Sequence, residues 1–364
     1  RQCGGRSRGR DTRLTMRFAI NGFGRVGRTL LRVYHSREDA RARLELAAIN
    51  EIADADTVVH LARYDSNYGR YPGRIARSGE LLAIDQLLVP LSHVPEVSAL
   101  PWQALGIDLV FECTGAFTDR ATAEQHLDAG AERVLFSHPA ESDVDATIVF
   151  GVNDQALTAD MDVVSAASCT TNAVVPVLST LSQAFGIEAA TITTIHSLMN
   201  DQPVLDAYHH TDLRKTRASS QSIIPVDTGL AVGIERILPA LAGKLSAHAL
   251  RVPTTKVSAI ELTVATERAC DIESVNASLR EAAEGSLSGV LDYSLEPLAS
   301  CDFAGEAASA IVDAQQTQVA AGRLAKILIW FDNEWAYASR MIDVALAWEQ
   351  LISASRPSAA EGTQ

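Results

Sequence analysis

Hydrophobic positions change their period along this chain. From residue 16 to about 168, short aliphatic and β-branched runs alternate with stretches whose apolar residues recur every three or four positions. The runs at 17–20, 44–49, 109–112, 134–136, 147–150 and 163–166 read as strands, and 25–35, 54–61 and 121–129 read as helices. That alternation predicts a parallel sheet covered by helices on both faces. Residues 73–91 interrupt it with short strands expected to run antiparallel. After residue 168 an apolar helix (171–185) leads into a strand (187–196) and then a long polar segment. Further strands at 245–252, 257–265 and 324–330 surround a helix at 272–284, so a second, α+β unit with a mixed or antiparallel sheet is expected. A helix is expected over 334–350, and the tail from Ser353 is expected to be disordered.

The first chemical signal lies where the first strand meets the first helix. Gly22, Gly24 and Gly27 form a GxGxxG in strand–turn–helix context. Gly22 permits the turn, Gly24 lets backbone approach a pyrophosphate, and Gly27 lets the helix pack on the sheet. Arg25 and Val26 lie in the same loop, at a helix N-terminus whose free N–H groups suit a phosphate. Glu51 ends the next strand, 24 residues beyond Gly27. A carboxylate there accepts both ribose hydroxyls and repels a 2′-phosphate, which favours NAD over NADP.

The second signal is Cys169, between a strand and the first turn of the apolar helix. A helix N-terminus there is expected to favour thiolate and so a nucleophile towards a carbonyl carbon. His196 ends a strand and is the candidate base. Cys113, Cys270 and Cys301 read as inert.

Composition narrows the function. A chain of 364 residues can build two cores, and 47% hydrophobic with 21% charged residues is ordinary globular usage. No apolar run approaches the roughly 18 residues of a membrane span. A formal charge of −14 with dispersed arginines argues against nucleic acid as the main partner. Five scattered cysteines with no CxxC predict neither a metal site nor a disulfide framework, and fit a reducing, cytoplasmic setting. Residues 1–15 carry five arginines and no apolar core of a secretory signal, so they are expected to be a disordered leader upstream of a natural start at Met16.

The stretches NGFGRVGR, ECTG, SCTTN, TTIH, RVPT and WFDNEWAY resemble the glyceraldehyde-3-phosphate dehydrogenase superfamily in order and spacing, over 16–348. Within it, the stretches at 49–51, 136–139, 196–202 and 219–228 are most similar to the bacterial D-erythrose-4-phosphate dehydrogenases. The resemblance implies a Rossmann NAD-binding domain at 16–168 completed by a C-terminal helix at 333–352, a catalytic domain at 169–332, and a tail at 353–364. It implies Cys169 as nucleophile and His196 as its base. Thr114, Gly115, Ser137 and Asn333 are implied around the cofactor, with Asn333 on the nicotinamide carboxamide. Arg251 is implied for the substrate phosphate, and Ser168, Thr170, Thr228 and Gly229 around a second anion pocket.

The implied reaction runs from aldehyde to thioester, with release by water or phosphate, in a homotetramer. Met199, three residues after His196, replaces a threonine usual in the glyceraldehyde enzymes. That favours erythrose 4-phosphate, water as acceptor, and a place in pyridoxal phosphate biosynthesis. Thr228-Gly229 keeps the phosphorylating alternative open. A catalytically silent binding protein on the same fold, and a semialdehyde dehydrogenase, are the more distant readings.

Overall fold

The computed structural model describes residues 15–209 and 212–355. The expectations for the leader before Thr15, and for the tail beyond Ser355, lie outside the described residues.

Seven strands of a nine-stranded sheet are parallel, in the order Ala146–Thr147, Val163–Ser165, Arg133–Phe136, Leu109–Glu112, Met16–Asn21, Leu44–Asn50 and Leu87–Ser92. Leu81–Ile84 and Ile75–Ser78 then extend the edge as an antiparallel meander, the excursion that the pattern break at 73–91 predicts. Parallel strands buried on both faces need apolar side chains on both sides, and Leu109–Glu112 and Arg133–Phe136 are buried at every position. Helices Arg25–Ser36 and Ala55–Arg63 cover the sheet; the second starts on Asp54, whose carboxylate accepts the Thr57 N–H.

The second sheet has seven strands and is mixed. Its order is Ile224–Val226, Leu245–Arg251, Ile187–His196, Ser258–Thr266, Leu324–Phe331, Ala310–Ala320 and Leu291–Ser294. Two of its six pairings are parallel and the others antiparallel. Helix Cys169–Phe185 runs from the first sheet into this half, burying Val174, Val175, Val177, Leu178 and Leu181 in the second core. The α/β class with a second, mixed-sheet unit is as patterning predicts.

Several elements differ from expectation. Among them are the helix Leu230–Ile237 and the strands Ile224–Val226 and Leu291–Ser294, which the pattern does not predict, and three more with a visible cause. The strand expected at 147–150 is only Ala146–Thr147, because the Asn153 side chain takes the Val149 N–H (2.7 Å) and the Thr147 carbonyl (2.8 Å) and turns the chain. Ile148 and Val149 then point into different cores. The eleven-residue strand Ala310–Ala320 escapes periodicity because its pairing slips between Asp313 and Gln318, which breaks the alternation. The last helix runs Trp335–Ser355, not to 350, so disorder does not begin at Ser353. Its apolar face packs on helix Arg25–Ser36 in the first core, with Trp348 and Met341 fully buried.

Candidate active site

The dinucleotide cradle follows from its glycines. Gly22 has φ +88°, and a Cβ there would lie 2.6 Å from the Thr114 nitrogen. At Gly27 a Cβ would meet the Gly22 carbonyl oxygen at 2.3 Å, so only glycine lets this helix sit so close to the strand. At Gly24, by contrast, an added Cβ meets nothing within 4 Å. Open space therefore faces a helix N-terminus whose first N–H groups, from Arg25, Val26 and Gly27, have no intrahelical acceptor. A diphosphate fits there.

Glu51 is fixed beside this loop: Oε2 accepts the Phe23 N–H (2.7 Å) and Oε1 the Ala53 N–H (3.2 Å). A carboxylate has about four acceptor positions, so both oxygens retain room for ribose hydroxyls. The Arg25 side chain is engaged elsewhere. Its guanidinium is held by both oxygens of Glu334 and by Asp65 (2.6 Å), so only its main chain is free to face phosphate. Those partners outweigh burial and hold the guanidinium firmly charged.

Beneath the loop lies a buried polar network that the sequence reading missed. Glu112 accepts from Asn21 Nδ2 (2.6 Å), Thr114 N–H (2.8 Å), the Thr114 hydroxyl and His126 Nε2 (3.0 Å). Trp102 Nε1–H donates to His126 Nδ1 (2.9 Å). An indole can only donate, so Nδ1 bears the lone pair, Nε2 bears the proton, and the imidazole is neutral. Burial pushes the Glu112 carboxyl up, but the His126, Thr114 and Asn21 hydrogen bonds outweigh it and hold the group below the ordinary range. Thr114 and Gly115 (φ +69°) are thereby set against Gly22, and Ser137 is tied to the same strand end through its N–H to the Glu112 carbonyl (3.0 Å).

The two halves meet in a cavity of about 390 Å³ lined by Ser168, Cys169, Thr170, Thr194, His196, Met199, Thr228, Gly229 and Arg251, among others. The expected nucleophile, base and anion-site residues are thus brought together from four separate segments, while the expected cofactor residues lie outside this lining. Cys169 Sγ lies 3.8 Å from His196 Nε2. His196 Nδ1 is 2.8 Å from the Ser197 carbonyl, which can only accept, so Nδ1 carries the proton and Nε2 turns a lone pair to the sulfur. Burial, with the charge of Arg251, holds the imidazole below its ordinary value against the pull of that carbonyl.

Here the helix-terminus expectation is corrected. Burial pushes the Cys169 thiol up to about 11, although the Thr170 hydroxyl and the N–H groups of Thr170 and Cys169 pull it down. Both shifts favour the uncharged forms, a thiol facing the lone pair of Nε2, to which its proton can pass. In the cofactor-free protein, iodoacetamide alkylation of Cys169, followed on its peptide, is expected to accelerate about tenfold per pH unit between about pH 7 and 10. A rate already level by about pH 8 would contradict the raised thiol.

The turn before Cys169 is strained and tied. Ala167 has φ +59°, and its carbonyl accepts from Tyr337 (2.9 Å) on the last helix. Asn172 Nδ2 holds the Ala166 and Ser168 carbonyls (2.8 and 2.9 Å). Ser168 is at the cavity, but its oxygen caps the helix, accepting the Thr171 N–H (3.0 Å) and sharing a proton with the Thr171 hydroxyl (2.7 Å). Thr228 Oγ1 accepts the Leu230 N–H (3.2 Å). Arg251 pairs with His196 in adjacent parallel strands. Its guanidinium is held by Asp201, which also pairs with Lys215 (3.2 Å), so an anion reaching Arg251 meets a carboxylate already there. Asp201 escaped sequence reading because only loop closure brings it there.

Asn333 lies just beyond the strand Leu324–Phe331, on a turn tied by its neighbour. Asp332, fully buried, accepts the N–H groups of Glu334 and Trp335 (both 3.0 Å), the Tyr68 hydroxyl (2.9 Å) and the Gly305 N–H (2.7 Å).

Fold, glycine cradle and strand-end carboxylate define a dinucleotide-dependent oxidoreductase. Residues 16–120 match the glyceraldehyde 3-phosphate dehydrogenase NAD binding domain, and residues 168–333 match the glyceraldehyde 3-phosphate dehydrogenase C-terminal domain. The chain belongs to the glyceraldehyde-3-phosphate dehydrogenase superfamily: its cofactor is NAD and it is an oxidoreductase acting on an aldehyde.

Proposed function

We propose that the protein oxidises D-erythrose 4-phosphate to 4-phosphoerythronate through a thioester on Cys169, released by water. The observation that carries the substrate choice is Met199. It lines the cavity with Cys169 and His196, is 46% exposed, and offers no hydroxyl to an attacking phosphate. Without a hydroxyl to donate there the phosphate site is weaker, which fits a longer four-carbon substrate and release by water.

The residues act in sequence. Cys169 sulfur bonds to the aldehyde carbon while its proton passes to His196 Nε2, and the imidazolium returns that proton to the carbonyl oxygen. NAD, when bound, accepts the hydride. His196 takes the hydroxyl proton as that hydride leaves the carbon, and a thioester results. His196 gives that proton up to solvent, and water then adds to the thioester with the neutral imidazole again as base; the acid departs as the thiol re-forms. The Cys169 N–H, at the start of its helix, is placed to stabilise the oxyanion in both additions.

Thr228 and Gly229 line the same cavity, and this supports the second reading, a phosphorylating glyceraldehyde-3-phosphate dehydrogenase of glycolysis. Purified protein given NAD and each aldehyde, with and without inorganic phosphate, decides between them. NADH formation from erythrose 4-phosphate without phosphate is expected. A strict phosphate requirement with glyceraldehyde 3-phosphate much preferred would select the second reading.

We propose a homotetramer, in which the segment after His196 covers a neighbour. Val204, Leu205, Tyr208 and Leu213 of that segment are each more than 70% exposed, an apolar group that water disfavours. A reducing cytoplasmic setting and a role in pyridoxal phosphate biosynthesis follow from the substrate assignment and the family resemblance.

A further inference from the structure

Sheet register brings two buried serines against Asn333. Ser258 opens the strand Ser258–Thr266 and pairs with Phe331, two residues before Asn333. Ser197 follows the strand Ile187–His196, whose Ile195 pairs with Ala259. Both serines are essentially without solvent contact. The residue before Ser258, Val257, has φ +61° and is buried, a conformation that strains a β-branched residue.

The hydrogen bonds at this spot can run in only one direction. The Ser197 N–H donates to Ser258 Oγ at 3.1 Å. Ser258 must then pass its own proton on, to Ser197 Oγ (3.5 Å) or to Asn333 Oδ1 (3.4 Å). Ser197 Oγ donates to Asn333 Oδ1 at 3.0 Å. Reversing the Asn333 amide would make Nδ2 the donor to Ser197 Oγ. Ser197 would then donate to Ser258, whose oxygen already takes an N–H, and the Ser258 proton would have no acceptor in a site closed to water. A buried hydroxyl left without an acceptor bears its desolvation cost uncompensated, so that arrangement loses.

We propose that Ser258 and Ser197 are positioning residues that lock Asn333 with its oxygen inward and its NH₂ presented to the cleft. The asparagine then selects a carbonyl oxygen, the acceptor end of the nicotinamide carboxamide. This rests on the assignment of Asn333 to that group. Ser197 serves both partners of the reaction: its carbonyl orients the His196 ring, and its hydroxyl orients Asn333. A single buried residue thus registers the base against the hydride acceptor.

The test measures dissociation constants by calorimetry for NAD and for ADP-ribose, which shares everything except the nicotinamide ring. Four proteins are compared: wild type, S258A, N333A and the double variant. S258A is expected to weaken NAD about threefold to tenfold and to leave ADP-ribose within about twofold. N333A weakens NAD at least as much, and the double variant adds nothing further. Equal loss of both ligands in S258A, or full additivity with N333A, would overturn the proposal in favour of general loosening. If N333A weakens NAD while S258A does not, the serine lock alone fails. If N333A leaves NAD binding unchanged, the Asn333 assignment fails and takes the lock with it. Should S258A not fold, S197A enters the same cycle with the same expectations.

Discussion

Replacing Cys169 by serine is expected to lower kcat for aldehyde oxidation by about 10⁴-fold or more, the scale on which covalent catalysts lose their nucleophile. The physical reason is specific to this site. His196 Nε2 faces the sulfur at 3.8 Å and, as a base held below its ordinary strength, removes a thiol proton only because sulfur is comparatively acidic and polarisable. A serine hydroxyl is several units less acidic and holds its proton. The cofactor cradle at Gly22, Gly24 and Gly27 belongs to other segments, so NAD affinity should stay within about twofold. Steady-state kinetics beside calorimetric NAD titration makes the comparison. Preserved turnover would remove the thioester route, whereas a wild-type chain that binds NAD but turns over neither aldehyde would favour the silent binding protein.

The second large effect concerns stability. Glu112→Ala is expected to cost about 3–5 kcal/mol, because it leaves buried donors of Asn21, Thr114 and His126 without their acceptor. Glu112→Gln keeps one acceptor oxygen and should lose less. Denaturant unfolding of the three proteins at neutral pH measures the difference, and a loss under about 1 kcal/mol in the alanine variant would show that the network relaxes around the gap. The sign of the pH dependence follows from the same geometry. Because the folded carboxyl is held below its unfolded value, its stabilisation is present above about pH 4.5 and is lost as the pH falls further. That acid sensitivity should be weaker in Glu112→Ala, which has no carboxyl to protonate.

Much of the site was legible before any coordinates. The GxGxxG turn, the carboxylate ending the second strand, and a cysteine at the head of an apolar helix are local signals. Each depends on residues a few positions apart: a glycine where a side chain would clash, a charge at a strand end, a nucleophile at a helix start. The alternation of strands and helices likewise follows from side-chain period, and the parallel sheet of the first half obeys it. Strand 310–320 was illegible because a slipped register removes the period on which such readings rest.

What the chain's order alone could not supply is the state of each group once packed. That Cys169 keeps its proton is decided by burial against the neighbouring core, which outweighs the local helix terminus. That the Arg25 guanidinium is held by Glu334, and that of Arg251 by Asp201, is decided by carboxylates 309 and 50 residues away. The direction of the Asn333 amide is set by two serines that only sheet register delivers. Amino-acid order determined which reactive groups exist and the local geometry that displays them. Protonation, orientation and pairing belong to the tertiary structure, because each depends on distance and on exclusion of water, and neither is a property of sequence neighbours.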